Sequence, residues 1–372
     1  MIYPKQAGFW KRHSTETALI EIIDELLDND RVSVILIDYC KAFDMADHSI
    51  LIQNLQVHGL DCKSLAWFQS YLDDRRQLVS LGNKESPTVR HVVPKGSILG
   101  PLLFITYSHD LPLHVTSAEI DLYADDTTLT SATHYDNVDT LQSSLSTPIS
   151  EVNQWAMANK LPLNETKTKV LTITGKRLLT RIDHDLTIVV FGKQLENVQC
   201  AKLLGLEIDQ ELTYIPHIDK LCKKLSQRIG ILKKIRYCLP LKYRLLFYNA
   251  MIRPVMAYLT VFWCSCDKHC LNCVLKLQIW AARIILDADS QSSSVKLFNK
   301  LKWIPFYEQA KIAKCCIIYK RLQGHVPTYL KSLLKFSCET HSRQTRYADF
   351  NLACPIVKRQ KEGGRTFAVT TC

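Results

Sequence analysis

No run of about eighteen apolar residues, the length needed to cross a bilayer, occurs anywhere in the 372-residue chain. The most apolar stretch, 250 to 266, is interrupted by Arg253 and Pro254. An apolar signal core is also missing near the start, where Lys5, Lys11 and Arg12 crowd the first dozen residues. These absences exclude a hydropathy-driven membrane span and favour a nuclear or cytoplasmic chain that is not secreted, with no membrane partner. There is no internal repeat and no low-complexity tract, which argues against a solenoid or a linker-rich chain. Acids are comparatively few: 36 Asp and Glu stand against 47 Lys and Arg, a formal charge of +11. Such an excess favours a polyanionic partner, because a basic surface gains affinity by releasing counterions condensed on phosphates.

What is present is a globular composition, 47% hydrophobic and 22% charged. The length suggests two or three packed units. Fourteen cysteines spread over a long chain without a secretory signal are expected to be mostly reduced, acting as small apolar residues.

Pattern places the elements. Paired apolar residues four apart predict a helix over 15–28, and the unbroken run Val32 to Ile37 predicts a buried strand ending at Asp38. Helices are predicted over 46–58, 63–72 and 98–110, with a hairpin across Gly82-Asn83. Glu119 to Tyr123 and Thr127 to Thr130 form two strands pinched around Ala124, Asp125 and Asp126. A long helix over about 137–158 leads to strands near 169–174, 186–191 and 202–208, and after His217 the pattern is helical to about 335. The change of character near 212–217 marks a domain boundary.

Three acids stand out by position. Asp38 ends a buried strand, and Asp125 and Asp126 sit at a hairpin tip with apolar flanks. A carboxylate beside a hydrophobic run bears a desolvation cost unless a cation offsets it. Magnesium takes oxygen ligands and is held by a few carboxylates plus substrate phosphates. The alternative for the Asp-Asp pair alone is an ordinary turn.

The strings around these acids resemble a known family. Tyr123-Ala124-Asp125-Asp126 is similar to the reverse-transcriptase signature. Ile37 to Asp44 resembles the strand-and-acid motif that precedes it in non-LTR, LINE-type retrotransposons, and Val93 to Phe104 resembles the nucleotide-template motif. Gln6-Ala7-Gly8-Phe9 with Ser14 to Leu19 resembles the finger-to-palm motif of jockey-like elements. Asn159 to Lys167 resembles the motif whose lysine protonates pyrophosphate, while Leu203-Leu204-Gly205 and 212–217 resemble the primer grip and thumb entrance.

The resemblance implies an α+β right-hand polymerase with an antiparallel palm sheet, partial fingers and a helical thumb. It implies fingers over 1–30, a palm over 31–212 with finger elements at about 60–92, thumb and connection over 213–335, and a tail over 336–372. The implied function is RNA-directed DNA polymerisation with an RNA template, a DNA primer or target and deoxynucleoside triphosphates. The alternative is an inactive nucleic-acid-binding remnant of a decayed element. Two Mg2+ ions are implied on Asp38, Asp125 and Asp126, with Lys167 as general acid. The nucleotide would be met by Lys11, Arg12, Tyr39, Phe43, Lys95 and Gly96, with Phe43 under the sugar. Nucleic acid would be held by Leu204, Gly205, Lys220, Lys223, Lys224 and Arg228. Two positions depart from the family: Trp10 stands where an arginine is usual and Lys95 where a glutamine is usual. Because the chain opens at the finger-to-palm motif and stops soon after Gly363 to Phe367, it is expected to be a piece truncated at both ends.

Between His217 and Arg244 there are nine Lys or Arg and one acid, Asp219, with Leu221, Leu225, Ile229 and Leu232 at helical spacing. Cys264, Cys266, Cys270 and Cys273 invite a zinc reading, but the spacing is not a usual two-knuckle pattern and the segment runs into an apparent helix, so zinc stays open.

Overall fold

The structure is a computed structural model that describes residues 3–28, 31–73, 76–78, 80–86, 89–90, 93, 96–133, 138–174 and 186–333. Lys95 and the stretch 336–372 lie outside the described residues. The fold is α+β and divides into two compact units, one of Met1–Ile22 with Asn29–Gln199 and one of Ile23–Asp28 with Cys200–Cys372.

The first unit is built on a five-stranded sheet: β1 (Arg31–Ile37), β2 (Glu119–Tyr123), β3 (Asp126–Thr133), β4 (Lys169–Thr174) and β5 (Glu196–Asn197), in spatial order β5-β4-β1-β3-β2. The expected all-antiparallel sheet is corrected at one edge, where β5 runs parallel to β4. The sequence pattern missed β5 because two residues, Glu196 and Asn197, carry no alternation. The expected strand over 186–191 is likewise reduced to Val189–Val190, paired with Lys193–Gln194 in a small hairpin.

One face of the sheet, carrying Ile35, Ile37, Ile120, Leu122, Leu129 and Val170, belongs to a single core with α4 (Gly100–Tyr107) and α5 (Val138–Ala158). The opposite face is also closed, since Val32, Val34, Thr128, Thr130 and Leu171 are buried. Burial on both faces is why β1 reads as an unbroken apolar run rather than an alternating one. Its single interior polar side chain, Ser33, is satisfied by Thr172 across the sheet at 3.1 Å.

The helix α1 (Thr15–Asp28) follows its predicted span. Asp47 caps α2 (His48–Val57) by accepting from the Ser49 and Ile50 amides, and Asp61 caps α3 (Cys62–Leu72) through Ser64. Asp47 also pairs with Lys160 at 2.6 Å, which holds its carboxyl below the usual range despite the opposing desolvation.

In the second unit a hairpin of β6 (Cys200–Leu203) and β7 (Leu206–Asp209) turns at Leu204 and Gly205, both at positive φ, as a tight hairpin turn requires. Helices follow: α6 (Ile215–Ile235), α7 (Lys268–Leu286) and α8 (Phe306–Leu322) among shorter pieces. Leu221, Leu225, Ile229 and Leu232 are the buried stripe of α6, as their spacing predicts. Trp263 is fully buried, donates its indole N–H to the Tyr258 carbonyl at 2.9 Å and stacks on Phe306. Among the described residues α7 alone is long and apolar enough to cross a membrane. It nevertheless carries Lys276 and Arg283 and buries Val274, Gln278, Ala281 and Ile285 within its unit.

Candidate active site

Strand direction gathers the candidate residues. The C-terminal end of β1, the turn joining β2 to β3 and the N-terminal end of β4 all lie at one end of the sheet, because β1 is antiparallel to both β3 and β4. The last β1–β3 pair is Ile37 with Thr127, and the last β2–β3 pair is Tyr123 with Asp126. Asp38 follows Ile37 and Asp126 precedes Thr127, so both acids lie just past the last β1–β3 pair at the same end of the sheet. Asp125 stands next to Asp126 in the turn.

The fourth residue comes from the approach to β4. The Asn164 N–H donates to the Asp38 carbonyl at 2.7 Å, and the Asp38 N–H donates to the hydroxyl of buried Thr168 at 3.3 Å. Between these two anchors sits Lys167, whose Nζ lies 3.5 Å from Asp38 Oδ2. That oxygen is itself buried and has no hydrogen-bond partner, so the lysine supplies charge but leaves its lone pairs free for a cation.

No group of three or more His, Cys, Asp or Glu is arranged to hold a metal among the described residues, so the side chains of the aspartates are not gathered into a ready cage. The backbone nevertheless brings them to one sheet end, and the unsatisfied Asp38 Oδ2 fits an oxygen-seeking divalent ion.

The turn bearing Asp125 and Asp126 is held from the N-terminal segment. Ala124 has φ 59, a left-handed conformation that costs an alanine about 1–2 kcal/mol. Gln6 bridges in parallel to Leu122, and its Oε1 accepts from the Gly8 amide at 2.9 Å and the Ala124 amide at 3.0 Å. Gly8 packs so closely that a Cβ there would lie 2.3 Å from the Ala124 nitrogen. Lys5, on the same segment, pairs with Glu119 and lies 4.0 Å from Asp121. Burial opposes the Lys5 charge, but Asp121 and Glu119 outweigh it and raise its pKa. Burial wins at Asp121, whose carboxyl is pushed up to about 6 although Lys5 pulls the other way. Sequence reading noted Gln6 and Gly8 only as parts of a motif, and Thr168 not at all, because their partners lie more than a hundred residues away.

Tyr39 is buried at 7% exposure and receives a hydrogen bond from Thr127 at 3.4 Å. Burial, reinforced by Asp125, raises its phenol well above the ordinary value, so it stays protonated. Phe43 is half-buried and stacks on Phe104 at 4.6 Å. Gly96 has φ 81, which favours glycine. Lys11 and Arg12 are exposed.

In the second unit Gly205 lies against Tyr258, whose hydroxyl donates to the Leu204 carbonyl at 2.8 Å. Lys220 pairs with Glu207 at 2.8 Å and Arg228 donates to the Met251 carbonyl, whereas Lys223 and Lys224 are exposed. The cysteine segment does not form a metal site among the described residues. Asp267 instead caps α7, and burial pushes the Cys264 thiol up to about 12.

Residues 1–208 match the family described as reverse transcriptase (RNA-dependent DNA polymerase). The chain belongs to the reverse transcriptase family. Its relatives include the probable RNA-directed DNA polymerase from transposon BS of Drosophila melanogaster, 29% identical over 76% of this chain and 32% of the relative. The corresponding X-element polymerase from the same fly is 25% identical over 82% of this chain and 34% of the relative. The polymerase from mobile element jockey is 25% identical over 76% and 32%. The resemblance to jockey-like, non-LTR reverse transcriptases therefore holds, and the chain spans about a third of the length of these curated relatives. A telomerase from Candida albicans is similar at TM-score 0.34 and 11% identity over 78% of this chain and 50% of that one, too distant to argue from.

Proposed function

We propose that this reverse transcriptase chain is the polymerase core of a non-LTR retrotransposon protein, extending a DNA primer on an RNA template with deoxynucleoside triphosphates. The observation that supports it is the sheet register, which brings the backbone of Asp38, Asp125, Asp126 and the approach to β4 to one sheet end, with Lys167 Nζ 3.5 Å from Asp38 Oδ2. In this reading the first unit holds the palm and partial fingers, and the helices after Ile215 form the thumb. The family uses divalent metal, and Asp38, Asp125 and Asp126 would hold two Mg2+ ions. When bound, these ions supply activation of the attacking primer hydroxyl and stabilisation of the departing oxygen. Lys167 Nζ delivers a proton to the pyrophosphate as it leaves. Phe43, braced by Phe104, sits under the sugar and disfavours a 2′-hydroxyl. Tyr39, Lys11, Arg12, Lys95 and Gly96 line the nucleotide. Leu204 and Gly205, at a turn braced by Tyr258, meet the primer. Lys223 and Lys224 track the duplex backbone, with Lys220 and Arg228 partly committed to protein partners.

Primer extension on an RNA template, comparing the native chain with Asp125→Asn, tests the reading. Extension by the native chain alone supports it. Equal silence of both, with duplex binding retained, identifies a nucleic-acid-binding remnant instead.

A further inference from the structure

We infer that Gln6 and Gly8 are positioning residues for the acidic turn: they lock Ala124 in its left-handed conformation and so aim Asp125 and Asp126 at the divalent cation. The inference rests on the polymerase reading and adds to it a device outside the acids. Gln6 is 1% exposed, and its Oε1 takes two amide protons at once, one from Gly8 and one from Ala124. Its position is fixed from three sides. The Ala7 N–H donates to the Leu122 carbonyl at 2.8 Å, the Leu122 N–H donates to the Lys5 carbonyl at 3.2 Å, and Lys5 ties to Glu119 and Asp121 on the same strand. Gly8 completes the contact, because only a missing Cβ allows its backbone to lie on the Ala124 nitrogen.

The physical need is clear from the turn itself. An alanine at φ 59 returns to ordinary backbone unless its surroundings over-determine it, and any such return rotates the next two residues. A carboxylate pair that must bridge cations tolerates little misplacement, so the conformer held by Gln6 is the binding-competent one. Gln6 Nε2 is buried without a hydrogen-bond partner, a cost the segment bears while its oxygen serves the two amides.

The experiment measures Mn2+ affinity of the full chain by calorimetry, and protection of the Ala124 amide by hydrogen exchange. Native, Gln6→Met, Gly8→Ala, Asp125→Asn and Trp155→Phe proteins are compared. Trp155→Phe serves as a stability control, since it removes the indole hydrogen bond to Asp110 in the same core without touching the turn. Gln6→Met is expected to lose Ala124 protection and to bind Mn2+ about tenfold more weakly, as the loss of about 1–1.5 kcal/mol of hydrogen bonding implies. Trp155→Phe should keep native affinity at comparable loss of stability. Ala124→Gly placed in the Gln6→Met background should restore part of the affinity, because glycine adopts the conformation without strain. Native affinity in folded Gln6→Met or Gly8→Ala overturns the inference, as does an equal loss in Trp155→Phe. If the native chain shows no Asp125-dependent Mn2+ binding, the metal reading fails and the positioning role fails with it, an outcome distinct from a failure of the clamp alone.

Discussion

Replacing Lys167 by glutamine should move two measurements in opposite directions. Nζ lies 3.5 Å from Asp38 Oδ2, which at an effective dielectric of about 20 corresponds to about 5 kcal/mol of attraction before solvent is counted. Although Asp38 Oδ2 is itself buried, the two side chains as a whole are 68% and 40% exposed and the lysine head is solvated, so screening reduces this to about 0–1 kcal/mol. In the metal-free protein the lysine therefore competes weakly with a cation for Asp38. Its removal should raise Mn2+ affinity by up to about fivefold. Loss of the transferable proton should at the same time slow nucleotide addition by about 10²–10⁴ in single-turnover primer extension. A solvated surface lysine would change neither quantity. A Lys167→Gln protein that extends at the native rate, or that binds Mn2+ more weakly, refutes the assignment.

Other outcomes follow from particular contacts. Asp121 holds its proton to about pH 6 in the folded chain, against about 4 when unfolded, so stability should fall as pH rises between those values and stay lower above them. Denaturant titrations across that window should show the slope in the native protein and a less negative one in Asp121→Asn. Gly205→Ala puts a Cβ 2.9 Å from the Tyr258 ring at φ 91 and should cost about 1–3 kcal/mol by thermal unfolding, whereas an unchanged midpoint would mean that the turn relaxes freely. Gln278→Leu strips the Phe306 amide of its acceptor at 3.0 Å and removes one of two donors to the Ile304 carbonyl, which keeps Gln309 at 2.8 Å, and should destabilise by about 1–3 kcal/mol. Phe43→Ala should admit ribonucleotides at least tenfold more readily in primer extension, and unchanged sugar selectivity would return Phe43 to a packing role beside Phe104.

Elements with a strong period or a side-chain signal were legible in the sequence. The predicted bounds of α1 and β4 agree with the structure, and so does the hairpin around Asp125, because apolar spacing and local turn chemistry act over a few residues. Two-residue strands such as β5 have no period to read, and the parallel edge they create depends on what β4 leaves unpaired. The sequence likewise brought forward the acids and Lys167, each conspicuous in a motif. Their supports were hidden for a physical reason. Thr168 steadies Asp38 across 130 positions and Gln6 steadies Ala124 across 118, and nothing in local composition marks a hydrogen bond between such distant segments. The basic stripe of α6 was legible as charge, but not the commitment of Lys220 to Glu207 or of Arg228 to Met251, since both acceptors are set by tertiary packing.

The site also explains why both faces of the first unit's sheet are buried. Three carboxylates at one sheet end repel one another, and Lys167 beside Asp38 offsets part of that repulsion. The strands hold the three acids at that end against the remaining repulsion. The closed core of Ile35, Ile37, Leu122 and Leu129 on one face, with Val32, Val34 and Leu171 buried on the other, supplies the rigidity. A cation that binds only the folded form would then add its own binding free energy to stability by mass action. Stability gained on adding divalent metal should therefore vanish in Asp125→Asn, while the core substitution Leu129→Ala should lower stability with and without metal by the same amount, because it weakens the scaffold and leaves the ligands alone.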